Sequence, residues 1–261
     1  MSGIWQSELS LAREAAKAAG GLLAGVVPRL EDANTKSNKH DLVTEWDLRL
    51  ESEIREALAS SGIPVLGEEQ GLSDQEKQDS RWLVDPIDGT VNFAHGLPFF
   101  AVSIALEHHK TPVVAVTLAP ALGWEFYASK GGGAFFGSER MAVSQVSTVS
   151  ESMLASGFPY DRAETRHNFA EWERFQCAAS ACRRVGAASL DLAMVARGWF
   201  DGYWESRLSP WDVSAGALLV TEAGGRVSSL SGSDFCSDTG EAVASNGLIH
   251  DEIIRELRNV S

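Results

Sequence analysis

Hydrophobic residues recur with a helical period in two segments near the start of the chain. In residues 7–27 the apolar positions lie three to four residues apart, at Leu9, Ala12, Ala16, Ala19 and Leu23. Farther along, Thr44 has a side chain typical of a helix N-cap, and every fourth residue from Trp46 to Leu58 is apolar. The pattern predicts two amphipathic helices joined by the irregular polar loop "EDANTKSNKHD".

Short apolar runs between turn residues predict strands in the next part of the chain. The runs "IPVLGEE" and "RWLVDPIDGT" each lead into acidic residues, and "FAVSIALEHHKTPVVAVTLAP" predicts a hairpin of two apolar strands around a polar tip. Further strands are expected in "WEFYASKGGGAFF". Its glycine-rich "KGGG" lacks the spacing of a phosphate-binding loop, so we expect a β-turn there.

Strands and helices alternate from about residue 145 onward. We predict a strand in "SMLASGF", helices in "HNFAEWERFQCAASAC" and "SLDLAMVARG", a strand in "DGYWE" and a helix over residues 211–223. Such alternation is typical of a mixed or parallel sheet with helices on its faces. The expected organisation is an N-terminal α+β lobe, residues 1–144, and a C-terminal α/β lobe, residues 145–261, in one compact unit.

Composition narrows the classes of partner. The chain has 261 residues, 44% of them hydrophobic, and a formal net charge of −14. This charge repels nucleic acid and anionic membranes, so a small-molecule partner is expected. The three cysteines are widely spaced and match no metal-ligand pattern, which favours buried free thiols in a reducing compartment. With no signal-peptide pattern and no apolar run of membrane-spanning length, we expect a cytoplasmic protein.

The stretch "WLVDPIDGTVNF" leads from an apolar strand directly into two aspartates, Asp85 and Asp88. Burying an ionised carboxylate is costly unless a cation or good hydrogen bonds replace its water. Other acids also stand at the ends of predicted elements, namely Glu68, Glu69 and Asp212. An all-oxygen set favours a hard cation, with Mg²⁺ the usual partner of carboxylates and phosphate oxygens. The sequence therefore predicts a magnesium site that also binds phosphate.

Four motifs in order extend this interpretation to a family. "DLVTEWD", "GEE", "DPIDGTVNF" followed by "PFFAVSIAL", and "WDVSAGALLVTEAGG" resemble the inositol monophosphatase family of Mg²⁺-dependent, lithium-sensitive phosphatases, from about Lys36 to the end of the chain. The resemblance implies a layered α-β-α-β-α sandwich of two lobes that meet at the metal site, an assembly as a homodimer, and two or three Mg²⁺ ions per active site.

The resemblance also implies individual roles. The metal ligands are expected to be Glu68, Asp85, the backbone carbonyl of Ile87, Asp88 and Asp212. Thr90, supported by Asp47, would orient and help deprotonate a metal-activated water that attacks in line, and Glu69 would complete the outer shell. The residues expected to contact substrate are Asp88, Gly89, Thr90, Gly186, Ala187, Ala188, Glu205 and Asp212.

The expected activity is hydrolysis of a phosphorylated polyol, first of all inositol 1-phosphate. Family members often have Ser or Thr where Ala187 stands, so the same chemistry on histidinol phosphate, fructose 1,6-bisphosphate or, ranked lowest, a 3′-phosphoadenosine nucleotide stays open. An added regulatory binding role, of the kind ascribed to some bacterial relatives, also stays open. Lys36, in the loop before "DLVT", is a secondary site candidate. The pair Arg183 and Arg184 precedes the expected pocket and fits a second phosphate clamp, but a helix-dipole partner or solvated surface is the favoured interpretation.

Overall fold

Two helices and a short strand pair begin the fold. The computed structural model describes residues 4–23, 25–26, 34–35, 42–73 and 79–259. The first elements are α1 (Gln6–Leu22), β1 (Asn34–Thr35), β2 (Leu42–Val43) and α2 (Glu45–Leu58), with β1 and β2 antiparallel. Both predicted helices are confirmed, and Thr44 is the N-cap of α2. Lys36 lies outside the described residues.

A mixed sheet of eight strands occupies the following segment. Its strands are β3 (Val65–Gly67), β4 (Gly71–Leu72), β5 (Ser80–Asp88), β6 (Ala101–His108), β7 (Thr111–Ala119), β8 (Trp124–Ser129), β9 (Gly133–Phe136) and β10 (Glu139–Arg140). The order is β10-β9-β8-β7-β6-β5-β3-β4, and β3 and β5 are its one parallel pair among the described strands. The helix α3 (Thr90–Ala94) follows β5. The predicted hairpin is β6 with β7, and a turn joins β8 to β9 at "KGGG" as expected.

A second sheet of five strands follows in residues 153–245. Its strands are β11 (Met153–Ser156), β12 (Ala181–Arg183), β13 (Gly202–Ser206), β14 (Arg226–Ser228) and β15 (Glu241–Ser245), in the order β12-β11-β13-β15-β14. The helices of this part are α4 (Arg162–Thr165), α5 (Phe169–Ala178), α6 (Ala188–Arg197), α7 (Pro210–Glu222) and α8 (His250–Arg258).

One predicted helix is wrong at its end. The segment "HNFAEWERFQCAASAC" was expected to be helical through Cys182, but α5 ends at Ala178 and Cys182 lies in β12. The backbone becomes extended at Ala179, and the strand β12 that follows pairs with β11. Sheet pairing overrides the helix propensity of the alanines because tertiary packing outweighs local preference.

The elements stack in five layers. Helices α1 and α2 cover one face of the eight-stranded sheet, α6 and α7 fill the space between the two sheets, and α5 and α8 cover the outer face of the second sheet. Every residue of α7 from Val213 to Val220 is buried, as expected for a helix with a sheet on each side. The structure confirms the predicted α-β-α-β-α sandwich. The division into lobes between residues 144 and 145 stays a prediction.

The three cysteines lie within the described residues and none forms a disulfide. Cys182 is buried and Cys236 is partly buried, but Cys177 is exposed on α5. The expectation of buried thiols is therefore wrong for Cys177, because α5 is an outer helix with one face in solvent. In the described part of the chain, no helix combines the length and the apolar character that crossing a bilayer requires.

Candidate active site

A β-bulge near the end of β5 lets both aspartates of "WLVDPIDGT" face the same side of the sheet. In a regular strand, residues three apart point to opposite faces. Here Asp85 pairs with Ser103 of β6, but Asp88 pairs with Ala101, so the β5 strand contains one extra residue between the two pairs. An inserted residue re-aims the side chains that follow it. The bulge therefore places Asp85 and Asp88 in one cluster.

The bulged backbone is fixed by its own side chains. The Ile87 N–H donates to Oδ1 of Asp85 at 3.0 Å. The Ile87 carbonyl accepts from the Thr90 hydroxyl at 3.0 Å. Gly89 makes the turn into α3 with a φ of +89°, and a Cβ there would lie 3.0 Å from the Phe99 carbonyl oxygen. Only glycine meets both conditions without strain.

A cleft of about 770 Å³ opens in front of this bulge. Its lining includes eleven of the residues predicted for the site: Glu68, Asp85, Ile87, Asp88, Gly89, Thr90, Gly186, Ala187, Ala188, Glu205 and Asp212. Asp47 and Glu69 are not among the lining residues. Asp47 contacts the site through Thr90, and the Glu69 backbone N–H points away to Oε2 of Glu51 at 2.7 Å.

The carboxyl groups around the bulge are crowded. Burial, followed by the charges of Glu68, Asp88 and Asp212, raises the pKa of Asp85 well above its usual range. Asp85 and Glu68 also share a side-chain hydrogen bond. Burial and the neighbouring Asp88 and Glu68 likewise raise the pKa of Asp212. Because like charges disfavour the ionised form, the cluster favours protons or a cation.

Asp88 joins the first sheet to the helix layer between the sheets. One carboxylate oxygen accepts from the Ala188 N–H at 3.2 Å, and the other accepts from the Ser189 N–H at 2.7 Å and the Ser189 hydroxyl at 2.5 Å. Burial raises the pKa of Asp88 to about 6, although the Ser189 hydrogen bonds oppose this shift. The Ser189 hydroxyl is thus committed to Asp88 and does not replace the hydroxyl that Ala187 lacks.

The remaining acids are held by the elements on which they lie. Asp212 is in the first turn of α7, where its Oδ2 accepts from the Ser209 N–H at 2.6 Å. Glu205 also lines the cleft, and its Oε2 accepts a hydrogen bond from the Tyr203 hydroxyl at 2.5 Å. Burial raises the pKa of Glu205 to about 7. A carboxyl group that lines the cleft is suited to accept hydrogen bonds from hydroxyl groups of a ligand.

Comparison with known proteins fits this geometry. The chain matches the model of the inositol monophosphatase family over residues 5–261. The chain belongs to this family. It is 39% identical over 250 residues to the inositol-1-monophosphatase of Caulobacter vibrioides, covering 94% of this chain and 98% of that protein. It is 42% identical over 250 residues to the Nus factor SuhB of Pseudomonas aeruginosa, covering 92% of each. The family identifies the chain as a phosphomonoester hydrolase.

A solved structure confirms the family fold across the chain. The inositol monophosphatase from Anabaena (Nostoc) sp. superposes with a TM-score of 0.90 at 38% sequence identity, covering 99% of this chain and 98% of that one. Agreement over nearly the whole length includes both sheets and all three helix layers. The fold expected from the sequence motifs is therefore the fold of the whole chain.

Inositol monophosphatase family members are generally metal-dependent, and the residues of the cleft fit such a group. Among the described residues, no three His, Cys, Asp or Glu side chains lie close enough together, as they are placed, to hold a metal ion. An open carboxylate cluster suits Mg²⁺, which usually keeps several waters and takes one or two carboxylates. Asp88 accepts three hydrogen bonds of the roughly four that a carboxylate can accept, so a lone pair remains.

Sequence reasoning missed two acids that line the cleft, Asp161 and Asp191. Asp191 on α6 lines the cleft, is 1% exposed, and has an Oδ1 with no hydrogen-bond partner in the described part of the structure. Burial, followed by Glu205 and Asp88, raises the pKa of Asp191 well above its usual range. The signal was present in "SLDLAMVAR", where one acid interrupts an otherwise apolar helix.

Two further residues have roles that the sequence did not reveal. Arg184, for which a solvated surface was the favoured interpretation, lines the cleft, and burial, followed by the charge of Arg162, lowers its pKa. The Asn92 side-chain amide donates to the carbonyls of Phe99 at 2.7 Å and Val185 at 2.9 Å. Asn92 therefore ties α3 to the segment that leads into Gly186.

Proposed function

We propose that this chain hydrolyses phosphate monoesters of small polyols in a Mg²⁺-dependent reaction, with inositol 1-phosphate as its preferred substrate. The observation that supports this most is the β-bulge that turns Asp85 and Asp88 to one side of the sheet. Glu68 and Asp212 meet them there, and Glu205 faces the same cleft from the second sheet. One cleft thus combines a cation site with an acceptor for hydroxyl groups.

Two or three Mg²⁺ ions would be held by Glu68, Asp85, the Ile87 carbonyl, Asp88 and Asp212. When bound, such ions lower the pKa of a water molecule and offset the negative charge of a phosphate group. Phosphoryl transfer depends mainly on this kind of positioning and charge stabilisation. The crowding that raises the pKa of Asp85 supports a cation as the natural occupant.

Thr90 and Asp47 would handle the proton of the attacking water. The single proton of the Thr90 hydroxyl has two acceptors within reach, the Ile87 carbonyl at 3.0 Å and Oδ1 of Asp47 at 3.2 Å. With this proton donated to Asp47, the Thr90 oxygen can accept a hydrogen bond from the water. Thr90 is 5% exposed, which limits the hydroxyl to few orientations. Glu69, beside Glu68 in the chain, belongs to the proposed outer shell.

The leaving group would lie toward the second sheet. Glu205 is proposed to accept hydrogen bonds from hydroxyl groups of the polyol, and Gly186, Ala187 and Ala188, which line the same cleft, are proposed to contact it as well. Gly186 has a φ of +88°, a conformation that glycine adopts readily. The name of the Caulobacter vibrioides relative supports an inositol phosphate as substrate.

The experiment is phosphate release from inositol 1-phosphate, histidinol phosphate, fructose 1,6-bisphosphate and adenosine 3′,5′-bisphosphate, with and without Mg²⁺ and then with added Li⁺. A Mg²⁺-dependent preference for the inositol ester that lithium suppresses is the expected result. Preference for another ester would keep the mechanism and change the substrate. Absence of metal-dependent release from all four esters would contradict the proposed function.

A regulatory binding role in addition to catalysis is a second candidate, favoured by the name of the Pseudomonas aeruginosa relative, a Nus factor. All residues proposed as metal ligands are present, which supports retained catalysis in either case. Purified transcription-elongation proteins are the probe for this role. Stable co-purification with these proteins would support the binding role, and phosphate release assayed in parallel would show whether catalysis is retained.

Three properties complete the proposal: a homodimer, a cytoplasmic location, and two lobes divided between residues 144 and 145. The three cysteines lie in the described part of the chain and are all free thiols, which supports a reducing compartment. Sedimentation of the purified protein tests the dimer. Limited proteolysis with identification of the cut sites tests the lobe boundary.

A further inference from the structure

A buried acid on α2 holds the backbone beside the proposed metal ligand Glu68. Glu51 is fully buried. Its Oε2 accepts from the Glu69 N–H at 2.7 Å, and its Oε1 accepts from the Gln70 N–H at 3.1 Å. Both donors directly follow Glu68 in the chain. A charged acceptor makes stronger hydrogen bonds than a neutral one, so this loop is firmly anchored to α2.

Arg55 completes the anchor one helical turn later. Its Nε donates to Oε1 of Glu51 at 2.8 Å, and its two terminal nitrogens donate to the carbonyls of Val65 and Gly71. The Arg55 side chain thereby links β3 to β4, the strands on either side of the loop. The pair compensates the charge of Glu51, which a buried carboxylate requires.

The strand before the loop is shaped around this carboxylate. A Cβ at Gly67 would lie 2.4 Å from the carboxyl carbon and Oε1 of Glu51. The absence of a side chain at Gly67 lets the Glu51 carboxylate reach the N–H groups of the next turn. On the other side, the Glu68 N–H donates to the Val84 carbonyl at 3.1 Å, one residue before Asp85. Glu68 is thus fixed from both flanks.

We propose that Glu51 is a positioning residue for the metal site: with Arg55, it sets the backbone of residues 68–70 so that the Glu68 side chain faces Asp85. This inference rests on the proposed function, since it takes Glu68 as a metal ligand. Glu51 is not among the residues that line the cleft. Residues that orient a metal ligand typically change metal affinity by about 10- to 100-fold when they are replaced.

The test compares Glu51→Gln with a matched control, Glu107→Gln. Glutamine keeps the size of Glu51 but replaces one acceptor oxygen by an NH₂ group. This group cannot accept a hydrogen bond from the N–H of Glu69 or Gln70, so one of the two hydrogen bonds is lost. Glu107 is a buried acid that accepts from Arg81 at 2.7 Å, from Ser237 at 2.6 Å and from Ser214 of α7 at 3.0 Å, and none of these donors belongs to residues 68–70. Both variants therefore disturb a buried acid–arginine pair.

The readouts are Mg²⁺ binding by calorimetry, the Mg²⁺ concentration for half-maximal phosphate release, and kcat at saturating Mg²⁺. We expect Glu51→Gln to weaken Mg²⁺ binding and to raise the half-maximal concentration by about ten-fold, with kcat within a few-fold of wild type at saturation. Glu107→Gln should lower the melting temperature to a comparable degree and leave Mg²⁺ binding at the wild-type value.

A second variant keeps the test informative if Glu51→Gln fails to fold. Gly67→Ala pushes the Glu51 carboxylate away from the loop, and it should raise the half-maximal Mg²⁺ concentration in the same direction. Unchanged Mg²⁺ binding in the folded Glu51 or Gly67 variant, or an equal shift in Glu107→Gln, would overturn the positioning role. If the wild-type protein binds no Mg²⁺, the proposed function fails and this inference fails with it.

Discussion

The hydroxyl oxygen of Thr90 lies 3.2 Å from Oδ1 of Asp47, a residue 43 positions earlier in the chain. The other oxygen of Asp47 accepts from the N–H and the hydroxyl of Thr44, at 2.7 and 2.6 Å. The carboxylate that caps α2 therefore also orients a hydroxyl at the start of α3, directly after β5. The start of one helix and the bulge of one strand are joined in a single hydrogen-bonded chain.

Thr90→Ala should lower kcat by about a hundred-fold, because proton transfer by a positioned group typically contributes that much or more. The Mg²⁺ concentration for half-maximal activity should change far less, since the proposed ligands stay in place. Steady-state kinetics over a range of Mg²⁺ concentrations measure both quantities.

Thr117→Val provides the control for Thr90→Ala. Thr117 is fully buried on β7, and its hydroxyl has no hydrogen-bond partner among the described residues. Its replacement should leave kcat at the wild-type value. A Thr90→Ala protein that loses Mg²⁺ affinity in proportion to kcat would instead assign Thr90 to metal binding.

The stabilisation by Mg²⁺ should increase from pH 5 to pH 8. Burial raises the pKa of Asp88 from 3.8 to about 6, so the metal-free folded protein binds a proton there more tightly than the unfolded chain does. This contribution to stability is complete below pH 4 and is lost as the pH rises through 6. Protons compete with Mg²⁺ below that pH. Melting curves at fixed Mg²⁺ concentration measure the shift, and a shift that is constant with pH would contradict this account.

His250 should make the fold less stable in acid, independently of the metal site. Its ring is fully buried between the hydroxyls of Ser228 and Ser245, each 2.9 Å from a ring nitrogen. Burial lowers the pKa of His250 from 6.5 to about 4. A lowered histidine pKa leaves its stabilising contribution intact above pH 6.5 and removes it progressively as the pH falls toward 4.

The size of the His250 effect follows from the pKa difference, and it reaches on the order of 3 kcal/mol at pH 4. Urea unfolding of wild type and His250→Asn, both without Mg²⁺, isolates this effect from that of the carboxylates. The stability advantage of wild type should shrink as the pH decreases from 7 to 4. An advantage that is constant over this range would show that His250 does not titrate on unfolding.

Glu205→Gln should change substrate selection more than chemistry. A hydrogen bond to a charged acceptor is worth about 1.5–3 kcal/mol, so kcat/KM for inositol 1-phosphate should fall by about ten-fold or more. Phenyl phosphate has no hydroxyl on its leaving group and should be hydrolysed by wild type and variant at similar rates. Equal losses on both substrates would place Glu205 in the chemical step rather than in the leaving-group pocket.

The sequence predicted those helices and strands that are determined by neighbouring residues in the chain. The N-cap and apolar stripe of α2 and the alternating runs of the β6–β7 hairpin are visible in the sequence, and both are confirmed. The strand β12 was missed because its extended form depends on pairing with β11. Strands β14 and β15 and the helix α8 were not predicted. Sheet pairing between distant segments leaves little trace in a short run of residues.

The candidate site shows the same limit. The spacing of Asp85 and Asp88 by itself predicts opposite faces of a strand, and the bulge that unites them depends on the register with β6. Their assignment to one site rested on the acids gathered at element ends, and the resemblance of whole motifs then extended it to individual ligands. Glu51 and Asp191 were missed because their importance follows from contacts with segments far along the chain.

The most direct test of the account is Mg²⁺-dependent phosphate release from inositol 1-phosphate by Asp85→Asn, compared with wild type. The account predicts a loss of at least about a hundred-fold, since a ligated metal supplies several kcal/mol to the transition state. The metal-free variant should melt at the wild-type temperature or higher, because one member of a crowded acid cluster has been neutralised. Near-normal Mg²⁺-dependent release by Asp85→Asn would contradict the proposed metal site.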